Sequence, residues 1–150
     1  MDLDLILACA HHLVVFALVV LLAVEFALLR PGVTSAGIKR LGGIDGAYGG
    51  MALLVLIIGF ARVFLGNAGA GFYLGNWVFW TKVGLFVIVG LLSIAPTVRI
   101  MGWRKALAAD PAFVPADAEV MGVRKFLHAE LGVLFLIPLF AAAMARGYGV

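Results

Sequence analysis

Long apolar runs separated by short polar breaks set the pattern of this chain. Four runs stand out, from about Leu3 to Leu29, Gly46 to Leu65, Trp77 to Ile100 and Phe126 to Ala145. Each is long enough to cross the hydrocarbon layer of a bilayer, which takes about 20 residues at a rise of about 1.5 Å each. A helix is the open-chain form that satisfies its own backbone there. The breaks are readable as well. Arg30-Pro31-Gly32 ends the first run, because proline cannot continue the hydrogen-bond ladder. Gly66 to Gly75 reads as a glycine-rich turn without charges, and Gly102 to Val120 is the longest polar stretch, with Pro111 and Pro115 inside it. Pro138 and Pro96 are expected to kink or loosen the fourth and third helices. Short connections favour antiparallel neighbours. The expected fold is an all-α membrane protein, an antiparallel four-helix transmembrane bundle forming a single transmembrane domain over residues 1–150.

Composition sharpens this picture. Of 150 residues, 65% are hydrophobic and 13% charged, with a mean hydropathy of +1.16. A soluble domain carries about 25% charged residues, so there is too little polar material to cover a water-facing globule. The single cysteine, Cys9, excludes an intrachain disulfide and a cysteine-based zinc or iron–sulfur site within one chain. The first run is a poor cleaved signal: it is long, its start is acidic at Asp2 and Asp4, and Glu25 sits near its end. Basic residues fall in the first and third connections (Arg30, Lys39, Arg40, Arg104, Lys105) and just before the fourth run (Arg124, Lys125), while the second connection has none. The positive-inside rule then places both termini outside a bacterial inner (cytoplasmic) membrane, with Arg146 as a small counter-vote. A net charge of +3 in short clusters at helix ends reads as topology and not as nucleic-acid binding.

Ionisable residues within a span are costly and are functional candidates by default. By the helical rise, His11, His12, Arg62 and Lys82 lie roughly 7–10 Å to the outer side of their span midpoints. Glu25, Tyr48, Thr97, His128 and Glu130 lie roughly 9–14 Å to the inner side. The chain therefore carries two polar layers with an apolar slab between them. Glu25 follows His11 by close to four turns on one stripe, whereas His12 points about 100° away from His11, so the two histidines cannot both face one partner helix.

Three readings of His11 and His12 stand side by side. One is an axial ligand for haem b, which imidazoles between membrane helices hold. Another is a copper or other metal site, with Met51 or Cys9 as soft partners. The plain one is a pair of interfacial histidines bonded to carbonyls or headgroups. A bis-histidine haem within one chain is difficult, since His12 and His128 differ by roughly 20 Å in depth. Lys82 and Arg62 either snorkel to the interface along their aliphatic stems or form an unpaired positive layer that suits haem propionates or another anion. Trp80 and Phe79 could wall such a pocket, whereas Trp77 fits the interfacial aromatic belt. In the inner layer, His128 and Glu130 with Glu25 and Tyr48 form either a second ligand site or a proton route, or else structural ion pairs of Glu25 or Glu130 with Arg99 or Arg124. Gly46 and Gly50, with Gly49 beside them, allow close helix approach or leave room for a flat macrocycle.

These residues carry a resemblance. The run Ala10-His11-His12-Leu13-Val14-Val15-Phe16, the block Ala61-Arg62-Val63-Phe64, the segment Phe72-Tyr73-Leu74 followed by Phe79-Trp80-Thr81-Lys82-Val83-Gly84-Leu85-Phe86, and Arg124-Lys125-Phe126-Leu127-His128-Ala129-Glu130 resemble an uncharacterised family of small four-helix bacterial predicted inner-membrane proteins, over nearly the whole chain. A more distant similarity is to HemJ-type protoporphyrinogen oxidases, four-helix membrane proteins that bind haem b. They carry an early histidine, a Trp-x-x-Lys-Leu-like block opening the third helix and an Asn-Glu-Pro-like block in the fourth. His11 or His12, Trp80 with Lys82, and Ala129-Glu130 occupy comparable places here. The spacing at Lys82 differs, and the asparagine and proline beside the glutamate are absent.

The resulting expectation is a haem-b-binding redox protein working near the outer leaflet by electron transfer or oxidase-type chemistry. His11, His12, Arg62, Lys82, Tyr48 and Trp80 are the cofactor candidates, and His11, His12, His128 and Glu130 the metal candidates, with copper as a second metal. The lipid bilayer is a partner, a homo-oligomer is plausible from the two histidine directions, and a quinone or other redox partner is left open. The alternative is a non-catalytic transporter or scaffold that binds ions or lipid headgroups.

Overall fold

The computed structural model describes residues 2–149. Five helices follow one another: α1 (Leu3–Leu28), α2 (Ser35–Leu65), α3 (Gly69–Leu74), α4 (Trp77–Ala109) and α5 (Asp117–Ala145). Four of them, α1, α2, α4 and α5, are long and apolar enough to cross a membrane, which makes the molecule an all-helical four-span membrane protein. They run alternately up and down. The α1–α2 and α4–α5 connections therefore share one end of the bundle, the loop end, and the chain termini share the other with α3.

Caps explain where the helices begin. Asp2 accepts from the Asp4 N–H (3.2 Å), and Thr34 accepts from the Gly37 N–H (3.2 Å). Asn76, fully buried, accepts from the N–H groups of Val78 (2.9 Å) and Phe79 (3.3 Å). Each satisfies amide groups that a first turn leaves without partners.

Three boundaries differ from the hydropathy reading. The second helix starts at Ser35 and not near Gly46, the third runs on to Ala109, and the fourth starts at Asp117 and not near Phe126. Apolar runs report only the stretch in hydrocarbon, whereas a helix continues for as long as its backbone ladder and caps allow. The 31 residues of α2 span about 46 Å, well beyond the roughly 30 Å of hydrocarbon. Arg104 and Lys105 consequently sit on helix and not in a loop. The glycine-rich segment also holds α3, a short helix where only a turn was expected.

Within the bundle α1 lies along α2 and α4 along α5; α2 meets α4 between the two pairs, and α1 touches α5 only briefly. The core is uneven. On α1 the buried positions are Leu18, Leu22 and Glu25, and on α5 they are Val120, Val123, Leu127, Glu130 and Leu134. Both sets lie in the half nearer the loops, except Leu134, which stands just past the middle of α5. In the half nearer the termini the buried residues are mainly those of α2 and α4: Val55 and Val63, and Val78, Phe79 and Val89.

Polar contacts close both ends. At the loop end, Arg124 donates to the carbonyls of Phe26 (2.9 Å) and Leu29 (2.5 Å), with its guanidinium 3.8 Å from the Phe26 ring centroid. A cation there meets carbonyls that the end of α1 leaves free. The Gly32 N–H donates to Asp117 (2.9 Å), and Arg99 pairs with Glu119 (3.2 Å). At the termini end, Asn67 donates its backbone N–H to Asp4 (3.3 Å) and its side-chain amide to Asp2 (3.1 Å). Gly149 has φ +95°, and a Cβ there would run into Asn76; its carbonyl accepts from the Trp77 N–H (3.2 Å).

Candidate functional site

Two polar clusters lie inside the bundle, one in each half. In the loop half, Glu25 (α1), Asp45 and Tyr48 (α2), Thr97 (α4) and Glu130 (α5) turn inward. Tyr48 donates its hydroxyl to Glu130 Oε2 (3.1 Å), and Thr97 donates to Asp45 Oδ1 (2.7 Å). Glu25 is 1% exposed and Glu130 0%, and in each Oε1 is buried without a hydrogen-bond partner. Asp45 and Tyr48 stand three apart on α2, so one face of that helix carries both.

In the termini half the polar groups are basic. His11 (α1) is half-buried, with Nδ1 shielded and unpartnered. It lies against Gly59 of α2, where a Cβ would stand 3.2 Å from its Cε1. Arg62 (α2) and Lys82 (α4) are within electrostatic reach of the imidazole. The Arg62 Nε is buried without a partner, and the Lys82 ammonium stands 6.0 Å from the Phe79 ring centroid. Among the described residues the one ion pair is Arg99 with Glu119, so neither Arg62 nor Lys82 is held by a carboxylate.

The other candidates scatter. His12 faces outward, with Nδ1 2.7 Å from the Ala8 carbonyl and its ring edge-on to His11 at 6.2 Å between centroids. Trp80 is exposed and donates its indole N–H to the Leu74 carbonyl (3.0 Å). His128 is exposed, edge-on to Phe26 at 4.5 Å. Two residues along a helix are about 200° apart, so the structure separates His128 from inward-facing Glu130. Tyr48 belongs with the carboxyl groups, about 21 Å along α2 from Arg62. Among the described residues, no three His, Cys, Asp or Glu side chains stand close enough to hold one metal ion.

Two further expectations are corrected. Glu25 and Glu130 do not pair with Arg99 or Arg124. Arg99 takes Glu119 at the surface and Arg124 takes backbone carbonyls, so Glu130 is left to the Tyr48 hydroxyl and Glu25 has no side-chain partner among the described residues. Gly46, Gly49 and Gly50 meet no atom of this chain that a Cβ would touch. The close approaches occur instead at Gly42, under the Arg104 side chain, and at Gly59, under His11.

Asp45 escaped the sequence reading. It stands one residue before the apolar run that begins at Gly46, where a charged residue reads as the edge of the span. Its spacing of three from Tyr48 was the available signal.

No curated protein and no solved structure matches this chain. The likeness to HemJ-type protoporphyrinogen oxidases is not shown by these comparisons. One family profile does match, over residues 3–149, and the chain therefore belongs to the family described as "Predicted membrane protein (DUF2214)".

Proposed function

We propose that the protein is a membrane-embedded haem-b-binding redox protein, with His11 as an axial ligand in the termini half. The observation that carries this reading is the shielded, unpartnered Nδ1 of His11 beside Gly59, in a setting where Arg62 and Lys82 supply positive charge without a matching acid. Haem iron takes an imidazole through Nε2, the nitrogen remote from Cβ, so the shielded Nδ1 is not itself the ligand atom; the His11 ring makes no hydrogen bond among the described residues, which leaves Nε2 free for iron. The donor set fits the group. His11 offers nitrogen, and Arg62 and Lys82 offer cations to propionate carboxylates. Because α1 has no buried residue before Leu18, a flat ring can approach His11 without displacing a packed core. Haem, when bound, supplies one-electron chemistry at iron; the chain's part is to ligate, to balance the propionate charge and to set the polarity around the ring.

The basic residues gathered at the loop end favour a bacterial inner-membrane orientation with both termini outside.

The test is an absorption spectrum of protein purified from haem-sufficient cells. A Soret band with a pyridine haemochrome of type b is expected, lost in His11→Ala and retained in His12→Ala. A colourless preparation overturns the proposal. The unpaired Arg62 and Lys82 also suit a second reading, a non-catalytic scaffold that holds an anionic lipid headgroup. Colourless protein that co-purifies with anionic lipid, and loses it in Arg62→Ala, identifies that case.

A further inference from the structure

We propose that Glu25 and Glu130 form a proton-binding site within the membrane, in the loop half of the bundle and separate from the basic cluster around His11. Two carboxyl groups, one from α1 and one from the neighbouring α5, are there removed from water, at 1% and 0% exposure, and each keeps one buried oxygen with no partner. An isolated ionised carboxylate in such surroundings costs far more than a fold can supply, and it is tolerated when a cation or a proton neutralises it.

The cations nearby are accounted for. Arg124 is committed to the carbonyls of Phe26 and Leu29, and Arg99 to Glu119. Arg104 of α4 crosses Gly42 and is within electrostatic reach of Asp45. His128 of α5 faces outward against Phe26. No charged group from α1, α2, α4 or α5 is thus left to face Glu25 and Glu130 except Asp45, which has the same sign.

The hydroxyl partners are arranged to suit a proton. Tyr48 donates to Oε2 of Glu130 and leaves Oε1 free, and Thr97 occupies Asp45. A metal ion is disfavoured by the spacing, since among the described residues no three acidic or imidazole groups converge. The proton reading explains why the two orphaned oxygens can be buried at all: each carboxyl becomes neutral, and the added O–H can itself donate within the cluster.

Infrared spectroscopy of the full chain in lipid vesicles tests this, with choline as the only added cation. At neutral pH the wild type is expected to show a carboxylic-acid C=O band that shifts in D₂O. Part of it is lost in Glu25→Gln and another part in Glu130→Gln, and its frequency rises in Tyr48→Phe, which removes one hydroxyl and leaves both carboxyl groups. Replacing choline by sodium or potassium is expected to change nothing. Absence of the band in the wild type, a band intact in both glutamine variants, or a band abolished by sodium or potassium overturns the proposal. A band that never shifts in D₂O overturns it too, because that proton is trapped and not exchanged. The readout needs no haem, so a colourless protein leaves it intact.

Discussion

The loop half and the termini half of the bundle are made from the same four spanning helices, yet they differ in charge and in packing. In the loop half, acidic and hydroxyl groups from all four helices meet in a closed core, with Leu18, Leu22 and Leu127 packed around them. In the termini half the inward cluster of His11, Arg62 and Lys82 is basic, His11 Nδ1 and Arg62 Nε are buried without partners, α1 contributes no buried side chain, and α5 contributes only Leu134 near its middle. The contrast separates two uses of polarity in a membrane. In a dense core the bonds Tyr48–Glu130 and Thr97–Asp45 hold helices in register and enclose the two orphaned carboxyl oxygens, with room for no more than a proton. Unpartnered nitrogens in a thin core leave a place that a larger ligand can complete.

The largest expected effect tests the packing difference along one helix. Leu22→Ala should cost about 2–5 kcal/mol, the range for truncating a fully buried leucine. Leu13→Ala, at a position 69% exposed toward lipid, should stay within about 0.5 kcal/mol. Reversible unfolding in mixed micelles measures both, and equal losses would erase the distinction between the halves.

Arginine offers the next contrast. Arg124→Ala removes two hydrogen bonds from a charged donor and a cation over the Phe26 ring, and an expected loss of about 1.5–3 kcal/mol follows. Arg62→Ala abandons no partner, and its cost without ligand should fall below about 0.5 kcal/mol. If Arg62 proved as costly as Arg124, the termini half would contain a bond that the static contacts miss. Within the loop half, Tyr48→Phe should cost about 0.5–1.5 kcal/mol, a single hydroxyl donor to Glu130. A neutral result would detach that hydrogen bond from stability and leave the cluster to its proposed role alone.

The two halves were not equally legible in the sequence. Spans show themselves by hydropathy because bilayer thickness imposes a length, so four helices and their antiparallel order followed from the apolar runs. The helix ends did not, because Thr34 and the turns after Gly32 and Pro111 act through caps and backbone bonds that hydropathy does not register. Depth sorted Glu25, Thr97 and Glu130 into one layer and His11, Arg62 and Lys82 into another, since the rise per residue is fixed. Partner choice was hidden. Whether Arg124 would take Glu130 or a carbonyl depends on how α5 is rotated against α1, and a single chain's wheel does not fix that angle. Asp45 was hidden for a simpler reason: a charged residue at the edge of an apolar run looks like its terminus.

The smallest expected effect bears on the emptier half. Gly59→Ala gains helix propensity, about 0.5–1 kcal/mol for an alanine replacing glycine in a helix interior. The new Cβ stands 3.2 Å from His11 Cε1, so the ring must give by a few tenths of an ångström. In a dense core that displacement would outweigh the gain. Here α1 is thinly packed around His11, and the ring can turn away, so the variant should be no more than about 1 kcal/mol from the wild type in either direction. Gly50→Ala, which meets nothing, should show the full gain and serves as the control. The two variants should part in the absorption spectrum, where only Gly59→Ala moves the imidazole and weakens or shifts any Soret band. A destabilisation by Gly59→Ala as large as that of Leu22→Ala would mean that the termini half is as tightly filled as the loop half, and would remove the space on which the ligand argument rests.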